Sequence, residues 1–335
     1  MPKYSIIIPV YNRPEEVDEL LRSLIAQEFN DFEVLIIDDG SDIKCTETVN
    51  KYEDRLSIRY FFKENSGPGD TRNYGFSKAR ADFMIIFDSD CILPPDYFTQ
   101  LEKYRHEHDF DTYGGPDRAH PSFSAFQKAI SHTLTSFFTT GGIRGRKKAL
   151  EKFNPRSFNM GMKRGVYEQT GGFPDVLLAE DTDLSIRMHK MGLKVVLIPQ
   201  CYVYHKRRLN FLKFFRQTHN FGYGRMILTK NHPESFKPFF LLPASFTIYL
   251  LTAIVLDTLY SRFMFLWPVV VYLAVIFTEA LIRKRNLTIA ILTVPSALAQ
   301  LTGYGYGTLK GFYHLFILGK SGYPTKNDNP LKKAL

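Results

Sequence analysis

The sequence predicts an α/β protein: a doubly wound, mainly parallel sheet followed by a C-terminal transmembrane helical region. Three observations carry that expectation. Short β-branched runs alternate with amphipathic stretches, polar clusters follow the first, second and fourth of those runs, and the chain turns strongly apolar beyond Lys237. A chain of 335 residues is long enough to bury a real core. Its 44% hydrophobic and 15% aromatic content, with 23% charged residues, excludes wholesale disorder. Cys45, Cys91 and Cys201 lie far apart with no CxxC pair. They point away from a disulfide framework or a zinc site and fit a reducing compartment. The mean hydropathy of −0.17 averages two unlike parts.

In chain order, residues 4–10 read as a strand buried on both faces. Asn12 offers a cap and Pro14 a first-turn residue, and Val17, Leu20, Leu21, Leu24 and Ile25 then follow helical spacing. A second buried strand, Val34 to Ile37, runs into Asp38-Asp39-Gly40-Ser41. A third, 56–62, leads to Gly67-Pro68-Gly69 and a helix through Ala79; Phe83 to Phe87 then ends in Asp88-Ser89-Asp90. The second half predicts a strand near 157–163, a helix near 181–191 and a strand near 194–204. Such sheets bind ligands beyond the carboxyl ends of their strands.

From Phe239 to Ile282 the only charged residues are Asp257, Arg262 and Glu279. The halves 239–260 and 263–282, of about 20 residues each, are long enough to cross a ~30 Å hydrocarbon core and predict a hairpin with a very short turn. A third apolar stretch, 287–309, contains Pro295, Gln300 and the run Gly303-Tyr304-Gly305-Tyr306-Gly307, and so spans, kinks or lies in the interface. Lys237, Arg283, Lys284 and Arg285 put both hairpin ends on the cytoplasmic side, and Lys310, Lys320, Lys326, Lys332 and Lys333 put the tail there too, which favours a re-entrant or interfacial third segment. The run Ile6-Ile7-Ile8-Pro9-Val10 is too short for a signal peptide. The expected organisation is a cytosolic domain over 1–236, transmembrane or interfacial helices over 237–319, and a basic tail over 320–335. The expected location is the inner membrane. Net charge is +9, with basic clusters at Arg144-Gly145-Arg146-Lys147-Lys148, Lys206-Arg207-Arg208 and Arg283-Lys284-Arg285. A membrane surface accounts for such clusters, so no nucleic acid is needed.

Taken singly, each polar motif has a structural reading. Asp88-Ser89-Asp90 is an ordinary strand-ending turn, yet two hard oxygen donors there suit Mg²⁺ or Mn²⁺ bridging a diphosphate. Asp38-Asp39-Gly40-Ser41 is a turn whose carboxylates could accept a base N–H or a ribose hydroxyl. Arg72 takes the place of the third glycine in a GxGxxG reading, which disfavours dinucleotide binding and leaves Arg72 to hold a nucleotide or its phosphates. No GxxxxGK[ST] loop supports ATP hydrolysis. Glu180-Asp181 opens an amphipathic helix, where acids favour the dipole, while an ionised Asp on a cleft rim also suits a general base. His205 reads equally as an interfacial histidine and as a third metal ligand.

The order of the pieces changes the balance. Pro9-Val10-Tyr11-Asn12, Asp38-Asp39-Gly40-Ser41, Gly67-Pro68-Gly69-Asp70-Thr71-Arg72-Asn73, Asp88-Ser89-Asp90, Asn159-Met160-Gly161, Gly171-Gly172-Phe173 and Glu180-Asp181 follow one another at these intervals. Over roughly residues 3–230 the chain closely resembles glycosyltransferase family 2, with the GT-A fold. The resemblance implies an inverting transferase that uses a nucleotide-diphosphate sugar and a divalent metal. It implies nucleotide-sugar binding at Pro9, Tyr11, Asp39, Arg72 and Asp88, metal at Asp90 and Asp88, with His205 as the candidate third ligand, and the catalytic base at Asp181. Two departures stand out. Residue 70 is Asp where small residues are usual, and Arg216-Gln217-Thr218-His219-Asn220-Phe221-Gly222-Tyr223-Gly224-Arg225 stands where processive synthases carry QxxRW, which favours addition of a single sugar. The membrane segments point to a lipid-linked saccharide or glycan acceptor in cell-surface polysaccharide or glycolipid synthesis. The alternatives are a polyprenyl-phosphate glycosyltransferase and a non-catalytic, membrane-tethered nucleotide-sugar binding protein.

Overall fold

The computed structural model describes residues 1–140, 152–176, 178–206 and 210–320. In chain order they form β1 (Tyr4–Val10), α1 (Pro14–Ile25), β2 (Phe32–Asp38), α2 (Thr46–Asn50), β3 (Ile58–Phe62), α3 (Pro68–Lys78), β4 (Phe83–Phe87), β5 (Cys91–Ile92) and α4 (Tyr97–Glu107). There follow β6 (Thr112–Gly114), β7 (Asp117–Arg118), α5 (Ala125–Thr135), α6 (Phe137–Thr140), β8 (Asn159–Lys163), α7 (Arg164–Thr170), α8 (Glu180–Lys190), β9 (Val195–Leu197) and β10 (Val203–His205). The helices α9 (Phe211–Asn231), α10 (Leu242–Tyr260), α11 (Trp267–Lys284) and α12 (Leu287–Phe312) complete the described chain. Arg144 to Lys148, Arg207, Arg208 and the tail beyond Lys320 lie outside the described residues.

The chain divides into two compact units, one of Met1–His120 with residues 152–206, the other of residues 121–140 with 210–320. The division does not fall at the expected boundary near Lys237, because α9 packs along α12 and belongs with it.

The first unit is built on a seven-stranded mixed sheet in the order β3-β2-β1-β4-β8-β6-β9. β3, β2, β1 and β4 are parallel, and β8 is antiparallel to both β4 and β6. Alternate residues of the central strands feed two cores, which is why those strands are apolar throughout. On one face Ile6, Ile8, Val34, Ile36 and Ile85 pack with Leu20, Leu21 and Leu24 of α1 and Phe98 and Leu101 of α4. On the other, Ile7, Leu35, Ile37, Met84 and Ile86 pack with Phe76 of α3 and Leu184 and Met188 of α8. The single strand expected near 194–204 is two. β9 pairs with β6 at the edge of the large sheet, and after the turn at Pro199-Gln200 β10 joins β5 and β7 in a small three-stranded sheet.

In the second unit, two helices are long and apolar enough to cross a membrane: Pro238–Tyr260 and Leu287–Ile317. Of the two expected spans, 239–260 is among these helices by length and composition and 263–282 is not. Asp257 accepts hydrogen bonds from the backbone N–H groups of Met264, Phe265 and Leu266, at 3.0, 2.8 and 2.8 Å. The turn therefore consumes residues 261–266, α11 starts only at Trp267, and its 18 residues take in Glu279, Arg283 and Lys284. The third stretch, expected to be re-entrant or interfacial, is one continuous helix of 26 residues with Pro295 inside it.

Its glycines are contact surfaces. A Cβ on Gly307 would lie 2.0 Å from the His219 carbonyl oxygen of α9, and one on Gly303 would lie 2.3 Å from Thr218 Oγ1. Gly222 of α9 reciprocates, 2.0 Å from the Tyr304 carbonyl oxygen, while Gly305 turns the other way, toward the Pro243 carbonyl of α10. Small residues four apart let helix backbones meet, the packing by which apolar helices associate where water supplies no drive.

Candidate active site

The polar clusters gather where β1, β2 and β4 end. Register places Val10 of β1 opposite Asp38 of β2, and Phe87 of β4 opposite Asn159 of β8. Near the end of β1 Pro9 is half-buried, and just beyond the strand Tyr11 is 38% exposed. Asn12 adopts a left-handed backbone, φ 54°, and is not the cap of α1; Arg13 holds that position, with Pro14 at the first turn. Asn12 instead ties down the next loop, its N–H donating to Ser41 Oγ at 2.8 Å and its Oδ1 accepting from the Ile43 N–H at 3.0 Å.

Asp38 and Asp39 divide their work. Asp38 is fully buried and accepts from the Ser41 N–H and the Tyr60 hydroxyl. Asp39 orders the loop before α3: Oδ1 accepts from the Ser66 N–H (2.8 Å) and Lys63 Nζ (2.5 Å), and Oδ2 from the Gly67 N–H (2.9 Å). An ionised carboxylate offers about four lone-pair sites, so Asp39 keeps about one for a further donor. Lys63 also explains the unusual residue 70, since its ammonium lies 3.8 Å from Asp70 Oδ2.

Arg72 is the hinge of the cluster. It is 4% exposed. Its Nη2 donates to Asp88 Oδ1 at 2.9 Å and its Nη1 to Glu180 Oε1 at 3.0 Å, with the guanidinium over the Phe173 ring and Nε without a partner among the described residues. A planar fork suits this double duty, where a lysine ammonium would not. Burial pushes the Glu180 carboxyl up to about 7, against the charge of Arg72 and with the help of Asp181.

The next residue of α3 and the end of α8 hold the loop that carries Phe173. Asn73 donates to the Phe173 carbonyl at 2.8 Å and accepts from its N–H at 2.9 Å, and Arg187 donates to the Gly172 carbonyl at 2.7 Å. Gly172 has φ +73°, and a Cβ there would meet Asn73 Oδ1 at 2.3 Å. That is a physical reason for a glycine at this position.

Asp181 is in the first turn of α8 but does not cap it. The cap position is Ala179, in the left-handed region at φ 63°, a costly backbone for a residue with a Cβ. Asp181 Oδ1 accepts from Arg156 Nη1 at 3.4 Å and from Thr182 Oγ1 at 3.1 Å, and Oδ2 accepts no hydrogen bond among the described residues.

Asp88 and Asp90 go to different partners, because β4 ends at Phe87 and residues 88–90 form a turn. Strand alternation, which would aim both to one side, no longer applies. Asp88 joins Arg72, while Asp90 Oδ2 accepts from Arg13 Nη1 at 2.7 Å and Asp90 Oδ1 lies 3.0 Å from His205 Nε2. That last approach is off the line of a hydrogen bond, and among the described residues neither Asp90 Oδ1 nor His205 Nδ1, both buried, has a hydrogen-bond partner. Burial opposes ionisation of Asp90, but His205 and Arg13 overcome it and hold its carboxyl well below the usual carboxylate range. One ligand atom each from Asp90, Cys91 and His205 lies within 4.8 Å of the others. An unsatisfied carboxylate oxygen beside an imidazole is a donor set that fits a divalent cation, with Mn²⁺ the more tolerant of nitrogen.

The structure thus brings Arg72, Asp88, Glu180 and Asp181 into one run of contacts and Asp90 with His205 into another. Pro9, Tyr11 and Asp39 stand on the same sheet edge outside both. Sequence reasoning missed Arg13, Lys63 and Arg156. Each is a lone cation in a polar stretch, with no spacing to single it out. Lys206, the first residue of the basic cluster at 206–208, pairs with Glu19 at 2.7 Å.

Comparison with known proteins bears on the family and the fold. The sequence profile of Glycosyl transferase family 2 matches residues 5–171. An uncharacterized glycosyltransferase of Rickettsia felis is 38% identical over 108 residues, which is 32% of this chain and 18% of that protein. The poly(ribitol-phosphate) beta-N-acetylglucosaminyltransferase TarS of Staphylococcus aureus is 33% identical over 115 residues, 33% of this chain and 20% of TarS. The chain thus spans about a fifth of the length of these curated relatives. The mannosyltransferase PcManGT of Pyrobaculum calidifontis, solved with GDP-Man and Mn²⁺, aligns over 90% of this chain and 87% of its own at 17% identity, with a TM-score of 0.54, a likeness of fold. By profile and by relatives, residues 5–171 of the chain belong to glycosyl transferase family 2, and the mixed sheet that carries them is GT-A-like in fold.

Proposed function

We propose that this chain is an inverting glycosyltransferase that moves one sugar from a nucleotide-diphosphate sugar to a lipid-linked saccharide acceptor. The observation that carries the reading is the buried fork of Arg72, which ties Asp88, at the end of β4, to Glu180, the residue beside Asp181. One cation thereby fixes the turn expected to hold the donor's diphosphate against the helix expected to supply the base. The relatives support the class of donor: TarS is by name an N-acetylglucosaminyltransferase, and PcManGT was solved with GDP-Man and Mn²⁺.

In this reading Pro9, Tyr11 and Asp39 receive the nucleoside, with Tyr11 offering an exposed ring for stacking and Asp39 its remaining acceptor site. Arg72 and Asp88 position the diphosphate. Asp181 Oδ2 takes the proton of the acceptor hydroxyl as that oxygen attacks the anomeric carbon, and the bond to the diphosphate oxygen breaks in the same displacement. Asp90 and His205, with Asp88 as the other ligand expected from sequence, would hold a divalent metal, Mg²⁺ or Mn²⁺, which would neutralise charge growing on the leaving diphosphate. The apolar helices Pro238–Tyr260 and Leu287–Ile317 support an inner-membrane anchor with the α/β part, 1–236 in the organisation expected from sequence, on the cytosolic side. A lipid-linked acceptor would then arrive by diffusion in the leaflet.

The test is donor turnover by membrane fractions offered a panel of nucleotide sugars, with and without chelator. At least one donor should be consumed, activity should vanish in excess chelator, and Asp90→Ala should be inactive yet folded. Full activity in chelator, or an active Asp90→Ala protein, would sink the metal assignment. Donor binding without turnover of any donor would leave a binding protein instead.

A further inference from the structure

Asp90 is already paired before any metal arrives. Arg13 Nη1 sits 2.7 Å from Asp90 Oδ2, on the carboxylate whose other oxygen has no hydrogen-bond donor. The Arg13 side chain is 33% exposed against 13% for Asp90, so the guanidinium approaches from the solvent side. Its backbone is pinned at both ends. Asn12 is tied to Ser41 and Ile43, and the Arg13 carbonyl accepts the Val17 N–H that starts α1. The side chain can therefore leave Asp90 without the loop moving.

Charge makes that departure consequential. The four carboxylates of the cluster are matched by three guanidinium groups: Arg13 on Asp90, Arg72 on Asp88 and Glu180, and Arg156 on Asp181. A divalent cation entering so nearly balanced a cluster meets repulsion from Arg13 on the very carboxylate it needs. A diphosphate brings negative charge that satisfies the metal and the displaced guanidinium together.

We propose that Arg13 is a place-holder cation on Asp90, which makes divalent-metal binding depend on the arrival of the nucleotide's diphosphate. The inference rests on Asp90 being a metal ligand, as read above. Coupling of this kind is reciprocal, so the metal raises affinity for the diphosphate by the same factor. Arg13 is a positioning residue here, acting through Asp90.

The experiment titrates the purified full chain with Mn²⁺ alone, in the absence of donor, by isothermal calorimetry. Removing the competing charge with Arg13→Gln should tighten Mn²⁺ binding by roughly 5- to 150-fold, the usual range of coupling between sites. Arg13→Lys, which keeps the charge, should stay near the parent. Adding Asp90→Asn should abolish the gain. Loss of packing or folding cannot produce tighter binding, so a merely structural role predicts no such gain. The proposal is overturned if Arg13→Gln binds Mn²⁺ no more tightly than the parent, including no binding in either, or if Arg13→Lys gains as much as Arg13→Gln. Mn²⁺ binding that is unchanged by Asp90→Asn in the parent removes the metal assignment itself, and this proposal with it. Asp90-dependent binding that ignores Arg13 removes only the proposal.

Discussion

Replacing Asp181 with Asn separates proton transfer from architecture at one atom pair. The variant keeps Oδ1, so Arg156 at 3.4 Å and Thr182 at 3.1 Å still have their acceptor. The start of α8 is not at risk, because Ala179 holds the cap position and its carbonyl accepts the Asp183 N–H at 2.9 Å. The loss is a negative charge in the first turn, ~0.3–1 kcal/mol against the helix dipole, and a part-exposed ion pair worth about 0–1 kcal/mol. For a protein of this size that is a fall of a few degrees in melting temperature. The loss in rate is of another order, since general base catalysis is worth ~10²–10⁴. Initial rates of nucleotide-diphosphate release at saturating donor and acceptor, read beside donor affinity and melting temperature, give the comparison. The Asn protein should melt within a few degrees of the parent and bind donor normally, yet turn over at least about a hundredfold more slowly. Turnover within a small factor of the parent would refute the reasoning and move the search to Glu180, whose carboxyl is already raised to about 7.

Two further outcomes follow from contacts. Gly307→Val would drive a side chain into the His219 carbonyl, 2.0 Å from the position of its Cβ, and force α9 and α12 apart; a loss of ~1–3 kcal/mol or more is expected, read as lowered melting temperature in detergent, and Gly165→Ala, whose Cβ would meet nothing nearer than Gln169 Nε2 at 3.8 Å, should lose less. Glu180 predicts a pH dependence: a carboxyl raised from 4.5 to about 7 makes the folded state hold its proton more tightly than the unfolded state, so its contribution is full below about pH 4.5 and is lost as pH rises through about 7. Glu180→Gln should remove that part of the decline, on the order of 3 kcal/mol, and equal pH slopes of melting temperature for parent and variant would exclude it.

The parallel core was legible because its strands are buried on both faces. Tyr4–Val10, Phe32–Asp38 and Phe83–Phe87 leave no polar period to misread, and the polar residues at their ends had to fall on one edge. The candidate residues were legible as residue types, but their pairings were not. Alternation put Asp88 and Asp90 on one side, and the turn after Phe87 sent one to Arg72 and the other to Arg13 and His205. Asn12 carried a capping side chain one residue too early, and its left-handed backbone turned that side chain to Ile43 instead. The strand expected over 194–204 failed for a similar reason: an apolar run records burial, not which sheet receives it, and Val195–Leu197 and Val203–His205 belong to different ones.

The C-terminal part shows what composition cannot weigh. Counting charges treated Asp257 as a blemish near the end of an apolar run, whereas its carboxylate collects three backbone N–H groups and sets where α11 begins. The helix then runs on to Lys284, so its 18 residues hold Arg283 and Lys284 as well as Glu279, and its charge rather than its length sets it apart from the two more apolar helices. Glu279 then pairs with Arg283 at 3.0 Å and accepts from Ser136, so an acid in an apolar helix is again an acid with partners. The glycines were misweighed in the opposite direction. Glycine costs a helix about 1 kcal/mol per residue by propensity, which is why Gly303, Gly305 and Gly307, with Pro295 and Gln300, left a span, a kink and an interfacial segment all open. That cost is local, while the contact it permits is not: with no Cβ at Gly303 and Gly307, the backbone of α12 lies directly against Phe215, Thr218 and His219 of α9. Propensity is measured on a helix in isolation, and α12 is not isolated on the side where those glycines lie.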